Sequence, residues 1–166
     1  MAPVDEKLVN KISSIFSSIL KEKKLKIATA ESCTGGLIAH TLTNISGSSD
    51  YFDRGIVSYS NRAKKELLDV PEEMLKKYGA VSKQVAEAMA KGVRKKSNVD
   101  IGISSTGIAG PTGGTKDKPV GLVYIGISTE EKTYSKKFLF SGDRLQNKNN
   151  TCHAALQMLY DYLKTK

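Results

Sequence analysis

Histidine, cysteine and tryptophan are almost missing from this chain. Its 166 residues include two His, two Cys and no Trp. With so few imidazoles and thiols, no spacing resembles a zinc site, and neither a metal nor a cofactor is expected. Cys33 and Cys152 are too few for a disulfide framework, which fits a reducing, cytoplasmic setting. Long apolar runs are absent too. None approaches the roughly 18 residues that cross a bilayer, so no membrane partner is expected. Met1 to Lys7 shows no basic segment followed by an apolar one, and no secretory leader is expected. Aromatics make up only 7% and do not alternate with the basic runs, which argues against a stacking platform for single-stranded nucleic acid. Neither G-x-x-x-x-G-K-S/T nor G-x-G-x-x-G occurs, so both common nucleotide fingerprints are unmet.

What is present is basic and globular. Hydrophobic residues reach 39%, enough for the core of one domain over residues 1–166. The formal charge is +9, which favours anionic partners such as nucleotides or phosphorylated metabolites. The lysines are scattered, however, and read as a solvated surface rather than a nucleic-acid track.

Periodicity orders the chain. Val4 to Lys24 repeats apolar residues at helical spacing, with Leu8, Ile12, Ile15, Phe16, Ile19 and Leu20 inward. Leu25 to Ala30 reads as a buried strand and Leu37 to Leu42 as the helix after it. Gly47 to Asp50 is a loop, and Tyr51 and Phe52 pack under it. Gly55 to Ser60 is a strand, followed by a helix over Arg62 to Leu68 capped by Asn61. Pro71 opens another helix that Gly79 ends. Ser82 caps a helix over Lys83 to Lys95. Asp100 to Thr106, Val120 to Ser128 and Thr133 to Phe140 are strands, the last two forming a hairpin, and Leu145 to Leu163 is a closing helix. This order predicts a single-domain, three-layer α/β/α sandwich with a mixed sheet.

The stretch Thr29-Ala30-Glu31-Ser32-Cys33-Thr34-Gly35-Gly36 passes from strand to helix. Free N–H groups at a helix start make an anion site, and Glu31, Ser32 and Thr34 add side chains at the same mouth. Loops at the carboxyl ends of strands converge on one crevice. Ser32, Thr34, Tyr59, Lys64, Thr106 and the glycine loop Gly107 to Gly114 are therefore expected together. Such a set binds phosphate and supports acyl chemistry, with a desolvated lysine or a tyrosine as base. Cys33 reads as a small buried residue, and His40 and His153 as ordinary helix residues.

In order along the chain stand Ala30-Glu31-Ser32-Cys33-Thr34-Gly35-Gly36, Gly47-Ser48-Ser49, Gly55 to Asn61 with Lys64, Gly79 to Ser82, Thr106 to Pro111 with Gly113-Gly114, Lys118 to Gly121, and Ser141-Gly142-Asp143-Arg144. This set resembles the C-terminal domain of the competence/damage-inducible CinA proteins, whose stand-alone relatives are called PncC, from about Leu25 to Leu163. The resemblance implies an amidohydrolase that converts nicotinamide mononucleotide to nicotinate mononucleotide and ammonia in pyridine nucleotide salvage, without metal or cofactor. It also implies a homo-oligomer, dimer or higher. By position it implies catalytic roles for Ser49, Tyr59 and Lys64 with Ser32, leaving the nucleophile open between Ser49 and Ser32. Substrate contacts are implied for Glu31, Thr34, Gly35, Gly36, Thr106, Gly107, Gly110, Gly113 and Arg144. Relatives tend to carry an arginine where this chain has Lys148, and lysine lacks the bidentate fork. The competing reading is a non-catalytic nucleotide-binding or partner-docking domain linked to competence or DNA damage.

Overall fold

Five segments rich in β-branched and small residues form one sheet, and burial decides its centre. In the computed structural model, which describes residues 6–166, the strands are β1 (Ile27–Glu31), β2 (Phe52–Val57), β3 (Ile101–Gly107), β4 (Leu122–Ser128) and β5 (Thr133–Leu139). Their spatial order is β2-β1-β3-β4-β5. β1 runs parallel to both neighbours, while β4 is antiparallel to β3 and to β5. Every residue of β1 is buried. The edge strands β2 and β5 are mostly open to solvent.

Helices cover both faces. On one lie α1 (Glu6–Glu22), α2 (Leu37–Thr43) and α6 (Arg144–Leu163), packing Phe16, Leu20, Ile38, Leu42, Leu156 and Leu159 against Ile27, Ile103 and Ile125. On the other lie α3 (Asn61–Leu68), α4 (Glu72–Tyr78) and α5 (Lys83–Ser97), packing Leu68, Leu75, Val85, Met89 and Val93 against Ala28 and Ala30. The three-layer sandwich with a mixed sheet is thus the observed fold. The expected start of the first helix at Val4 and Asp5, and the side chain of Leu8, lie outside the described residues.

Two local expectations need correction. β2 begins at Phe52, not Gly55, because Tyr51 anchors the strand entry. Its ring is buried and its hydroxyl donates to Leu42 O at 2.6 Å. The cap of α3 is Ser60 rather than Asn61: Ser60 Oγ accepts the Ala63 N–H at 3.0 Å. Ser82 caps α5 as its sequence position indicates, accepting the Val85 N–H. α6 starts in a capping box between Asp143 and Gln146.

α3 and α5 approach closely at Gly92, where an added Cβ would lie 2.0 Å from Leu68 O. That contact seats α3 over the sheet. Gly92→Ala is accordingly expected to lower unfolding stability by about 1–3 kcal/mol through overpacking. Urea denaturation should show a lower midpoint at unchanged slope.

Candidate active site

The carboxyl ends of β1, β2 and β3 lie at one edge of the sheet. α3 starts three residues beyond β2 and, one turn in, delivers Lys64 to this edge. Lys64 is only 1% exposed. Its Nζ donates to Ser32 Oγ at 3.0 Å and to Ser58 O at 2.8 Å. No carboxylate pairs with it among the described residues. Burial therefore pulls its pKa down to about 8, with the neighbouring Cys33 acting in the opposite sense. A lysine with that pKa is neutral in roughly a tenth of molecules at pH 7. In that state the same contact runs in reverse, with the Ser32 hydroxyl donating to the Nζ lone pair.

Cys33 is no rival nucleophile. Burial pushes its thiol up to about 12, and that of Cys152 up to about 11.

The anion site expected at the start of α2 is already filled from within. Gly35 and Gly36 take positive φ values of 61° and 100° and turn the chain so that α2 points back at Glu31. The Glu31 carboxylate, 1% exposed, accepts the N–H groups of Gly36 and Ile38 at 3.0 Å and of Ala39 at 2.8 Å. Thr34 Oγ1 donates to it at 2.6 Å and contacts Ser105 Oγ at 2.7 Å. Glu31, Thr34 and the Gly36 N–H, expected to contact substrate, are thus engaged with one another, because a tethered carboxylate reaches those donors first. Gly35 stays exposed, and a Cβ there would lie 3.6 Å from Lys148 Nζ.

A second cluster forms the rim. Arg144, at the start of α6, donates through Nη1 to Gly110 O at 2.7 Å and through Nη2 to the Tyr59 hydroxyl oxygen at 2.9 Å. No hydrogen bond joins Tyr59 to Lys64; the phenol is 61% exposed and engaged by the arginine. Lys148 follows Arg144 by one helical turn. A cavity of about 440 Å³ opens beside Arg144, walled by Ala109, Pro111, Val120 and Leu145.

Thr106 lies at the correct edge, but its hydroxyl donates to Ala80 O at 2.8 Å, and the residue is 1% exposed. Gly107 ends β3, and Gly113 lies exposed in the glycine loop. Ser49 is placed elsewhere. It lies in a short 3₁₀ turn (Ser48–Asp50) before β2, at the amino end of a strand parallel to β1. Strand β1, about 17 Å at about 3.3 Å per residue, separates it from Ser32 within this chain. Two buried residues at the site had no distinct sequence signal. Ser58 touches Lys64, and Asn147 donates through Nδ2 to Ala109 O and Gly142 O at 3.0 and 2.9 Å, pinning the glycine loop to α6.

Among the described residues no group of three or more His, Cys, Asp or Glu side chains is arranged to hold a metal ion. No helix among them is long and apolar enough to cross a membrane.

Known proteins share this fold. The family described as CinA C-terminal domain matches residues 9–163. A relative from Caldicellulosiruptor bescii, named as competence-damage inducible, is 55% identical over 148 residues, covering 89% of this chain and 36% of its own length. This chain thus spans little more than a third of the curated relatives it matches. Among solved structures, the competence/damage inducible protein CihA from Agrobacterium tumefaciens superposes with a TM-score of 0.92 at 38% identity, covering 99% of this chain and 98% of that one. A CinA superfamily protein from Escherichia coli gives 0.90 at 31% identity, covering 96% and 93%.

The internal role of Glu31 has a stability consequence. Glu31→Ala leaves three N–H groups at the start of α2 without their acceptor and should cost about 2–4 kcal/mol. Urea unfolding checks the loss. Unchanged stability would contradict the internal-anion assignment.

Proposed function

We propose that this chain, which belongs to the CinA C-terminal domain family, is an amidohydrolase that deamidates nicotinamide mononucleotide through Ser32 and Lys64. The observation that carries this reading is the 3.0 Å contact between a serine hydroxyl and a buried lysine that has no carboxylate partner among the described residues. Substrate class rests on the family resemblance and on the cationic rim.

The chemistry follows from those atoms. Neutral Lys64 accepts the Ser32 proton as Oγ attacks the carboxamide carbon, and the carbonyl electrons move onto oxygen. Donors for that oxyanion are needed near Ser32. The N–H groups of Cys33 and Thr34, next in the turn, have no backbone acceptor among the described residues. The C–N bond then breaks as Lys64 returns the proton to the leaving nitrogen, and ammonia departs. Water attacks the resulting ester and gives one proton to Lys64; the acyl C–O bond then breaks as Lys64 returns that proton to Ser32 Oγ, and the product acid releases its own proton to solvent as the carboxylate. Arg144 and Lys148 offer the charge that receives a phosphate, and the exposed Tyr59 ring offers a face to the pyridine.

The lysine must be neutral to act, so its lowered pKa fixes the sign of the pH dependence. Activity should rise with pH and level off above a midpoint near 8, the value set by Lys64. Ammonia release from the mononucleotide tests the assignment. Ser32→Ala and Lys64→Met are each expected to lower kcat by about 100-fold or more, and Ser49→Ala to change it by less than about twofold. Full activity in Lys64→Met, or its loss in Ser49→Ala, would refute the dyad. Binding without any ammonia release by the native chain would instead leave a nucleotide-binding module.

A further inference from the structure

Beside the lysine lies a hydroxyl with nothing to bond. Ser58 is wholly buried, and its Oγ has no hydrogen-bond partner among the described residues. A buried, unpaired hydroxyl lowers stability, so its retention at this place needs a reason. Its backbone is well anchored: Ser58 N–H donates to Glu31 O at 2.8 Å, and Ser58 O accepts from Lys64 Nζ at 2.8 Å.

Register fixes where the side chain points. Glu31 is paired with Val57 at the ends of parallel strands, and the Ser58 N–H bond to Glu31 O carries that alignment one residue further, towards Ser32 and Ser58. Paired residues of parallel strands face the same side of the sheet, and alternate residues share a face. Ala30 and Ile56, two residues earlier, both pack into the core under α3 and α5. Ser32 and Ser58 therefore face α3 together, and Lys64 descends onto them from that helix.

Counting valences gives the hydroxyl its task. A neutral amine has one lone pair and two N–H bonds. The lone pair takes the proton of Ser32, and Ser58 O takes one N–H. Once that proton is transferred the ammonium has three N–H bonds. One goes to Ser58 O and one towards the reacting atoms, which leaves the third without an acceptor. We propose that Ser58 Oγ, unbonded in this structure, turns about its χ1 to become that third acceptor, a positioning residue that holds the Lys64 ammonium when Ser32 gives up its proton. This rests on the Ser32–Lys64 reading of the site.

No other charged group competes for the role. Cys33 is the ionisable neighbour, and with its thiol pushed up to about 12 it stays uncharged where Lys64 titrates. Arg62, Lys65 and Glu66 of α3 are exposed. α5 turns Val85, Ala86 and Met89 inward, while Glu87 and Lys91 line an outer groove beyond Leu68. The adjacent Tyr59 is held by Arg144.

The test is a pH titration of the lysine side chains in the ligand-free protein, followed by the ¹³Cε chemical shift and assigned with Lys64→Met. Removing an acceptor from the ammonium disfavours the charged form, so the Lys64 midpoint should fall by about half a pH unit or more in Ser58→Ala and stay near the native value in Ser58→Thr. Ser58→Cys, a weaker acceptor, should move it in the same direction as Ser58→Ala. In turnover, Ser58→Ala should lower kcat about fivefold to tenfold at constant KM. Its melting temperature should hold or rise, since an unpaired buried hydroxyl has been deleted. A midpoint unmoved in Ser58→Ala, or lost activity that merely follows lost stability, would overturn the proposal. The titration needs no substrate, so the two readings fail separately. A moved midpoint without ammonia release refutes only the reaction, and an unmoved midpoint in an active enzyme refutes only the role of Ser58.

Discussion

A lysine amine taken out of water and set against one serine hydroxyl is the constraint around which this fold is arranged. Burying an unpaired cation is costly, and lysine answers by titrating lower rather than by recruiting a carboxylate. Lys64 finds one hydroxyl and one carbonyl, and its pKa settles at about 8. Several unrelated features converge on that arrangement. The Ser60 cap starts α3 immediately after β2, Gly92 lets α3 settle over the sheet, and the β1–β2 register sets Ser32 next to Ser58.

The neighbouring residues Glu31 and Ser32 divide the work between two faces. Strand alternation sends the carboxylate towards α2 and the hydroxyl towards α3. Glu31 satisfies the start of α2 and so holds the turn that carries Ser32. The helix start is thereby closed to any outside anion, and the cationic side chains at this edge come from α6. There Arg144 ties the glycine loop to Tyr59, and Lys148 faces the Gly35 turn.

Much of the fold is legible in the residues themselves. The apolar period of Lys83 to Lys95 with Ser82 before it, and the alternation of β4 and β5, describe elements that local physics largely decides. The entry to β2 is not legible, because it is fixed by partners elsewhere in the chain: Tyr51 donates to Leu42 O and accepts the Ile27 N–H, and Phe52 pairs with Ile27. The α3 cap was ambiguous because Ser60 and Asn61 are both good capping residues. At the site, strand-end logic brings Ser32 and Lys64 to one edge. It does not foresee that Glu31 closes the anion site, since a side chain folding back across its own turn has no periodic signature. Ser49 sits in a turn whose sequence looks like a ligand loop, yet the strand direction carries it to the far end. Ser58 has no signature of its own, because a serine in an alternating strand looks like any other, and only the fold gives it a neighbour.

The most direct measurement is the site and pH dependence of covalent labelling by a fluorophosphonate, an electrophile that reacts with activated serines whatever the natural substrate. One adduct on Ser32 is expected, located by peptide mass spectrometry, forming faster as pH rises through about 8 and not forming in Lys64→Met. An adduct on Ser49, or a Ser32 that stays unreactive across that range, would contradict the account.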